Sequence, residues 1–169
     1  MKKQLLVAAL LLLSGAAVVS AQPRSVGVNL GYYPSISYQH TLGANMLDVA
    51  AQVMLPMNTG FGLGGHVTYD WIDPFNAAIP WEEDGAWHWY MGVGGAGGFV
   101  FKQKDVPGWF YAGVAGHIGI EYDFWFPLQL SLDWRPSFGV NNYSDKFGFN
   151  QYGLYGISLG VRYLFNQGN

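Results

Sequence analysis

The feature of this sequence that most constrains its fold is a strict two-residue alternation, which is clearest in segments 109–124 and 128–141. In both segments nearly every second residue is apolar, and most residues between them are polar or very small. Because a strand directs successive side chains to opposite faces, this pattern predicts β-strands with one apolar face. The other face of each strand is made of the following residues: Tyr111, Gly113, Ala115, His117, Gly119, Glu121, Asp123, and Gln129, Ser131, Asp133, Arg135, Ser137, Gly139, Asn141.

The small, polar face indicates which side of the sheet points outward. In a soluble barrel or sandwich this face would meet water and carry abundant Lys, Glu and Thr, but the whole chain is only 11% charged. Small and sparsely charged residues suit a crowded interior, so we expect the apolar face to point outward into lipid. Aromatic residues near the predicted strand ends, such as Trp71, Trp109 and Tyr163, are typical of the girdles of membrane barrels. A soluble exported β-sandwich with an aromatic core is the alternative.

The alternation marks eight strands, at about 25–33, 35–42, 46–56, 61–72, 86–101, 109–124, 128–141 and 150–165. Residues 25–42 can also be read as one strand bent at Pro34, because proline interrupts a ladder without always ending it. A bacterial barrel with both ends at the periplasmic side needs an even strand number, which favours the split. Eight strands enclose a bore that side chains can fill. Inward glycines, Gly92 among them, are expected to make room for large polar side chains from the strands opposite.

Residues 1–21 have the pattern of a cleaved signal peptide, with Lys2 and Lys3, an apolar run over 5–13 and the small residues 19–21. The expected mature chain, 22–169, is a single barrel domain without an apolar run near the roughly 20 residues of a membrane helix. The chain has no Cys, which excludes disulfides and cysteine-ligated metal. Loss of Lys2 and Lys3 leaves 6 basic against 11 acidic side chains, a balance that disfavours nucleic-acid binding.

Four sequence motifs carry a family resemblance. They are Val-Gly-Val-Asn-Leu-Gly-Tyr at 26–32, Ser-Tyr-Gln-His at 37–40, Gly-Ile-Glu-Tyr at 119–122 and Leu-Ser-Leu-Asp-Trp-Arg-Pro at 130–136. With them, nearly all of 22–169 resembles the small OmpA-like outer-membrane β-barrel family of Gram-negative bacteria. This resemblance implies an integral outer-membrane protein without an assigned reaction. We expect a monomer that contacts outer-membrane lipid and lipopolysaccharide.

The last predicted strand resembles the recognition strand read by the outer-membrane assembly machinery. Ser158, Gly160, Tyr163 and Phe165 fit its polar, glycine and aromatic positions, although Asn166–Asn169 follow the final aromatic residue. If Phe165 ends this strand at the periplasmic face, the connections 56–60, 102–108 and 142–149 are extracellular. The longer connection 73–85 is then periplasmic.

Ionisable residues on the inward positions form the candidate site. Buried charges are costly unless paired, so we expect Arg135 and Arg162 each to meet carboxylates across the bore. We predict a structural polar network that closes the lumen, and the alternative is a polar ion pathway. The residues concerned are Asp48, His66, Asp70, His117, Glu121, Asp123, Asp133, Arg135 and Arg162.

Eight-stranded barrels that modify lipid A supply an enzymatic alternative. Such chemistry needs a nucleophile or activated water beside a His and an orienting carboxylate. His40, His88, Ser144 and Asp145 are available, but no Ser–His pair has strand spacing. Three adjacent acids at 82–84 do not converge on a cation as metal ligands must. The sequence therefore predicts no catalytic residue, no metal and no cofactor, and a structural or surface-interaction role.

Overall fold

The computed structural model describes residues 22–54, 61–80, 85–102, 107–143, 146–149, 154 and 156–165. The first six strands begin and end within two residues of their predicted bounds, and the predicted split of 25–42 into two strands is confirmed. The strands are β1 Pro23–Gly31, β2 Ser35–Leu42, β3 Asn45–Met54, β4 Gly62–Ile72, β5 Gly85–Val100, β6 Trp109–Phe124, β7 Leu128–Trp134, β8 Ser137–Tyr143, β9 Lys146–Phe149 and β10 Ile157–Leu164.

The sheet closes on itself. Its antiparallel strands follow the order β5–β4–β3–β2–β1–β10–β7–β6, and pairing between β5 and β6 completes the ring. β1 and β10 join the two ends of the described chain, with Ser25 opposite Leu164 and Gly31 opposite Ser158. The protein is therefore an all-β, closed, eight-stranded antiparallel barrel, which confirms the predicted architecture.

The predicted strand 128–141 is divided in the structure. β6 pairs with β7 over Ile118–Asp123 and with β8 over Tyr111–Ala115, so β7 and β8 continue one another along the same neighbour. Pro136 lies at the break and has no N–H for the ladder, although its carbonyl still accepts from the amide of Gly116 at 2.8 Å. Outward orientation continues across the break from Trp134 to Phe138, so the interruption does not change which residues face inward.

The predicted bounds of the last connection and strand are wrong. Lys146–Phe149 does not belong to a loop but pairs with β8 as a hairpin, and β10 begins only at Ile157. The four residues of β9 are too few for a two-residue alternation to reveal them. Residues 150–153 and 155, which were assigned to the last strand, lie outside the described residues.

The two faces of the barrel have opposite character. The outer face exposes large apolar side chains, including Ile36 and Val114 at 65% and Val93 at 60%. The largest fully buried side chains include Arg162, His117 and Gln39, whose polar groups a soluble protein keeps mostly at its surface. Burial is thus inverted relative to a soluble barrel.

One end of the barrel carries both described chain ends and the β4–β5 connection. This connection contains a short 3-10 helix, Pro74–Asn76, preceded by Asp73 in a left-handed conformation with φ 44°. The Asp73 carboxylate contacts Nδ1 of His88 at 2.6 Å and accepts from the amide of Trp89 at 3.2 Å, which holds the connection against β5. In the described parts of the chain, no helix combines the length and apolar character needed to cross a bilayer.

Candidate functional site: the polar interior of the barrel

The barrel interior contains every ionisable residue that the alternation placed inward. Seven of them are at most 7% exposed: Asp48, His66, Asp70, His117, Glu121, Asp133 and Arg162. The side chain of Arg135 is 9% exposed and that of Asp123 is 22% exposed. They come from β3, β4, β6, β7 and β10 and from the residue after β7, so barrel closure is what brings them together.

Asp133 is the centre of this network. One carboxylate oxygen accepts from the hydroxyl of Tyr90 and lies 3.2 Å from Nε2 of His117. The other accepts from the hydroxyl of Ser131 at 2.8 Å and from Nη2 of Arg162 at 3.4 Å. Four side chains from four strands therefore converge on one carboxylate, which satisfies the charge that burial would otherwise make costly.

His117 lies between two carboxylates. Its Nδ1 is 2.9 Å from Asp70 and its Nε2 is 3.2 Å from Asp133. Only the doubly protonated ring has an N–H on both nitrogens, so the imidazolium form satisfies both contacts. Thr68 donates its hydroxyl to Asp70 at 3.1 Å. In this form His117 is a third cation of the interior, beside Arg135 and Arg162.

Arg162 has all three guanidinium nitrogens in hydrogen bonds. Nε donates to Ser37 at 3.1 Å, Nη1 donates to Ser131, and Nη2 donates to Asn29 at 2.8 Å and to Asp133. The side chain is fully buried. A guanidinium held on every nitrogen is a fixed structural group in this barrel.

Inward glycines provide the space for these polar side chains. A Cβ at Gly27 or Gly160 would overlap Arg162, and a Cβ at Gly92 would overlap the carboxylate of Asp70. Gly27 is paired directly with Arg162, and Gly92 is paired directly with Asp70. The space therefore serves side chains of the paired strand or, at Gly160, also of the same strand, and not those of the opposite wall as expected.

Arg135 is bound less completely than Arg162. Its Nη1 donates to Ser158 at 3.2 Å, and its Nη2 lies 3.7 Å from both Asp48 and Asp133. Among the described residues, Nε and Nη2 of Arg135 have no hydrogen-bond partner. Asp48 is held independently by Nε2 of His66 at 3.2 Å.

Six charged side chains form what we call the central layer of the interior. Their charges balance when His117 is doubly protonated. If His66, which contacts Asp48, is neutral, three carboxylates then face three cations and the layer has no net charge. The six groups are Asp48, Asp70 and Asp133, and Arg135, Arg162 and His117.

A second cluster of charged residues lies nearer the end of the barrel that carries the chain termini. Its cation, Arg24, is not among the residues that the sequence pattern predicts to face inward. Arg24 forms an ion pair with Glu121, lies 3.7 Å from Asp123 and donates to Gln39 at 3.1 Å. Strict alternation from Ser25 would direct Arg24 outward. A β-bulge shifts the register between Pro23 and Ser25 and turns the side chain inward, which alternation cannot reveal.

A cavity of about 60 Å³ lies on the other side of the central layer. Tyr111, Met54 and Val100 form a buried apolar cluster beside it, and Gln52 donates to the Tyr111 hydroxyl at 2.7 Å. Its lining includes Tyr33, Ser35, Gln52, Met54, His66, Ala96, Trp109, Tyr111, Ala115, Arg135, Ser137, Gly156, Ile157 and Ser158.

The residues considered for enzymatic chemistry are not brought together where the structure describes them. Nδ1 of His40 lies 2.9 Å from the hydroxyl of Tyr38 on the exposed surface, and His88 contacts Asp73 at the end of β5. Ser144, Asp145 and the acidic run 82–84 lie outside the described residues. Within the described ranges, no three His, Asp or Glu side chains form a group that could hold a metal ion.

Comparison with known proteins gives no relative: no protein-family model, curated protein or solved structure matches this chain. The fold and the interior define its class, which is a closed eight-stranded antiparallel β-barrel with an ion-paired interior and an apolar exterior. The resemblance to the OmpA-like family stays a prediction.

Proposed function

We propose that this protein is an integral outer-membrane β-barrel of the OmpA-like type, exported by a cleaved signal peptide at 1–21. Its proposed role is structural or in surface interaction, without catalysis. The inverted burial carries the proposal, since charged groups fill the interior while the outer face is apolar. An apolar surface of this extent in water would cause aggregation, whereas a bilayer solvates it.

Aromatic residues at both ends of the barrel support a position across a bilayer. Tyr122 and Phe124 pack at 4.7 Å between ring centres near the end with the chain termini. Phe61 and Phe101 stack at 5.7 Å near the opposite end. Membrane barrels place such aromatic girdles at the two lipid–water interfaces, and the 16 residues of β5 exceed the roughly 9 to 11 that span the hydrocarbon.

Cell fractionation tests the location directly. We expect the mature protein, cleaved after residue 21, in the outer-membrane fraction, with a soluble periplasmic protein as the marker for leakage. The unheated sample should migrate differently from the boiled sample in detergent gels, because the closed barrel resists unfolding until heated. Recovery as a soluble periplasmic monomer would overturn the proposal.

The central layer supports a closed lumen. Arg162 is bonded on all three nitrogens, and fully buried polar side chains fill the narrow bore around it, so no continuous aqueous path is expected through it. Planar-bilayer recording should show no steady conductance, with a general porin as the positive control. A stable, ion-selective current that changes when Arg135 or Arg162 is substituted would support the narrow-channel alternative instead.

Lipid A analysis separates the structural role from the enzymatic alternative. We expect identical lipid A mass spectra from cells with and without the protein, because His40 contacts Tyr38 and His88 contacts Asp73 in two separate places. A new acylated or deacylated lipid A species that depends on the protein would support a lipid-modifying enzyme.

The proposed contact with the assembly machinery rests on the end of β10. Tyr163 and Phe165 lie on the outer face at 53% and 45% exposure, with ring centres 5.5 Å apart. Replacing Phe165 with Ala should lower the amount of assembled, heat-modifiable barrel in cells while leaving refolding in detergent unaffected. Equal loss in cells and in detergent would indicate a role in stability alone.

A further inference from the structure

The cavity beside the central layer has the mixed lining of a ligand site. Its polar lining residues include Ser35, Ser137 and Ser158. Its apolar and aromatic lining residues include Met54 and Trp109. Ligand sites in proteins commonly combine an apolar wall with a few convergent polar groups. The volume of about 60 Å³ limits the ligand to a small molecule.

Arg135 distinguishes this cavity from the rest of the interior. It lines the cavity and is more than nine-tenths buried, yet Nε and Nη2 have no hydrogen-bond partner among the described residues. Arg162, which also contacts Asp133, uses every nitrogen. A buried guanidinium with unused donors is costly, so Arg135 retains capacity for an acceptor that the barrel itself does not supply.

The carboxylates near Arg135 do not depend on it. Asp48 accepts from His66 at 3.2 Å and from Gln39 at 3.3 Å, and Asp133 accepts from Tyr90. Both are 3.7 Å from Nη2, which is beyond hydrogen-bond distance. Both carboxylates therefore keep hydrogen-bond partners of their own if the guanidinium turns toward the cavity.

We propose that this cavity is a binding site for a small aliphatic carboxylate, held by Arg135. The Nε and Nη2 edge of a guanidinium matches the two oxygens of a carboxylate, which is the acceptor that a bidentate arginine binds best. Because both nitrogens are enclosed, binding requires the guanidinium to turn toward the ligand. The short aliphatic part of the ligand packs against Met54 and Trp109.

Methyl NMR of methionine tests the site in the folded, detergent-solubilised mature protein. Acetate and propionate are the probes, with propionamide as the uncharged control and sodium chloride as the ionic-strength control. We expect a saturable shift of the Met54 methyl signal with both carboxylates. The Met91 methyl, on the strand β5, does not line the cavity and should not respond. A Met54 response that is absent, or that propionamide or chloride reproduces, would overturn the proposal.

Variants separate recognition by Arg135 from a general salt effect. Arg135→Lys keeps the positive charge but removes the pair of N–H donors that binds both carboxylate oxygens. It should weaken binding of acetate and propionate roughly ten- to a hundredfold. Ala96→Leu fills the cavity without changing any charge and should abolish binding even if Arg135 variants fold poorly. Lys102→Gln removes an exposed positive charge and should bind normally. Unchanged binding in a folded Arg135→Lys or Ala96→Leu variant would refute the site and leave the barrel proposal untouched.

Discussion

The phenol ring of Tyr90 lies over Gly119, the residue directly paired with it on the neighbouring strand. A Cβ at Gly119 would overlap the ring. From this position the Tyr90 hydroxyl donates to Asp133, and the ring contacts His117 edge-on at 4.9 Å between centres. The missing side chain at position 119 therefore allows the phenol to reach the central carboxylate.

Gly119→Ala should destabilise the barrel, because the added methyl forces Tyr90 away from Asp133. We expect a loss of about 1–3 kcal/mol in the free energy of unfolding, measured by urea titration in lipid vesicles. Gly95→Ala is the matched control, since a Cβ there meets only the Gly113 carbonyl at 3.8 Å. If both variants lose the same free energy of unfolding, the loss comes from replacing any glycine in a strand and not from the contact between Gly119 and Tyr90.

Arg162→Met should destabilise the barrel more strongly. The change removes the hydrogen bonds to Asn29 and Ser37. It also removes the contact between Nη2 of Arg162 and one carboxylate oxygen of Asp133. Breaking a buried ion pair by removing one partner costs about 3–5 kcal/mol, which the same urea titration can resolve. Lys102→Met, at an exposed position, should change stability by less than about 0.5 kcal/mol. Wild-type stability of Arg162→Met would contradict a structural central layer.

Val93→Arg tests whether the outer face contacts lipid. Val93 is 60% exposed and lies midway along β5, between Tyr69 and Gly116 in the sheet. Arginine at the bilayer midplane lowers the free energy of unfolding by roughly 2–4 kcal/mol, whereas an exposed substitution in water barely changes it. The same urea titration in lipid vesicles measures the difference. Trp125→Arg, beyond the end of β6, should cost about 0–1 kcal/mol as expected near an interface. A neutral Val93→Arg would indicate a soluble barrel.

The proposed topology can be tested by labelling, because the chain has no Cys. Lys102 lies at the end opposite the chain termini, and Ala78 lies in the β4–β5 connection at the same end as the termini; both are exposed. With the termini in the periplasm, Lys102→Cys should react with a membrane-impermeant maleimide on intact cells and Ala78→Cys should react only after lysis. The reverse pattern would invert the topology.

Several features were predictable from the sequence because they depend on a local, two-residue rule. Alternation along 109–124 and 128–141 identified strands and assigned His117, Asp133 and Arg135 to the inward face before any pairing was known. The break at Pro136 does not change this assignment, since inward and outward side chains keep alternating across it. The count of eight also needed the rule that a bacterial barrel has an even number of strands, which favoured two strands over 25–42.

Only the tertiary structure decided which of these residues meet. Sequence position does not show that Tyr90, His117 and Arg162 converge on Asp133, because strand register and closure of the ring set their relative heights. Arg24 faces the interior because a bulge reverses the inward–outward alternation at that point, and a regular alternation cannot predict such a reversal. A periodic sequence thus determines the two faces of each strand, whereas contacts across the bore depend on long-range pairing that no short segment contains.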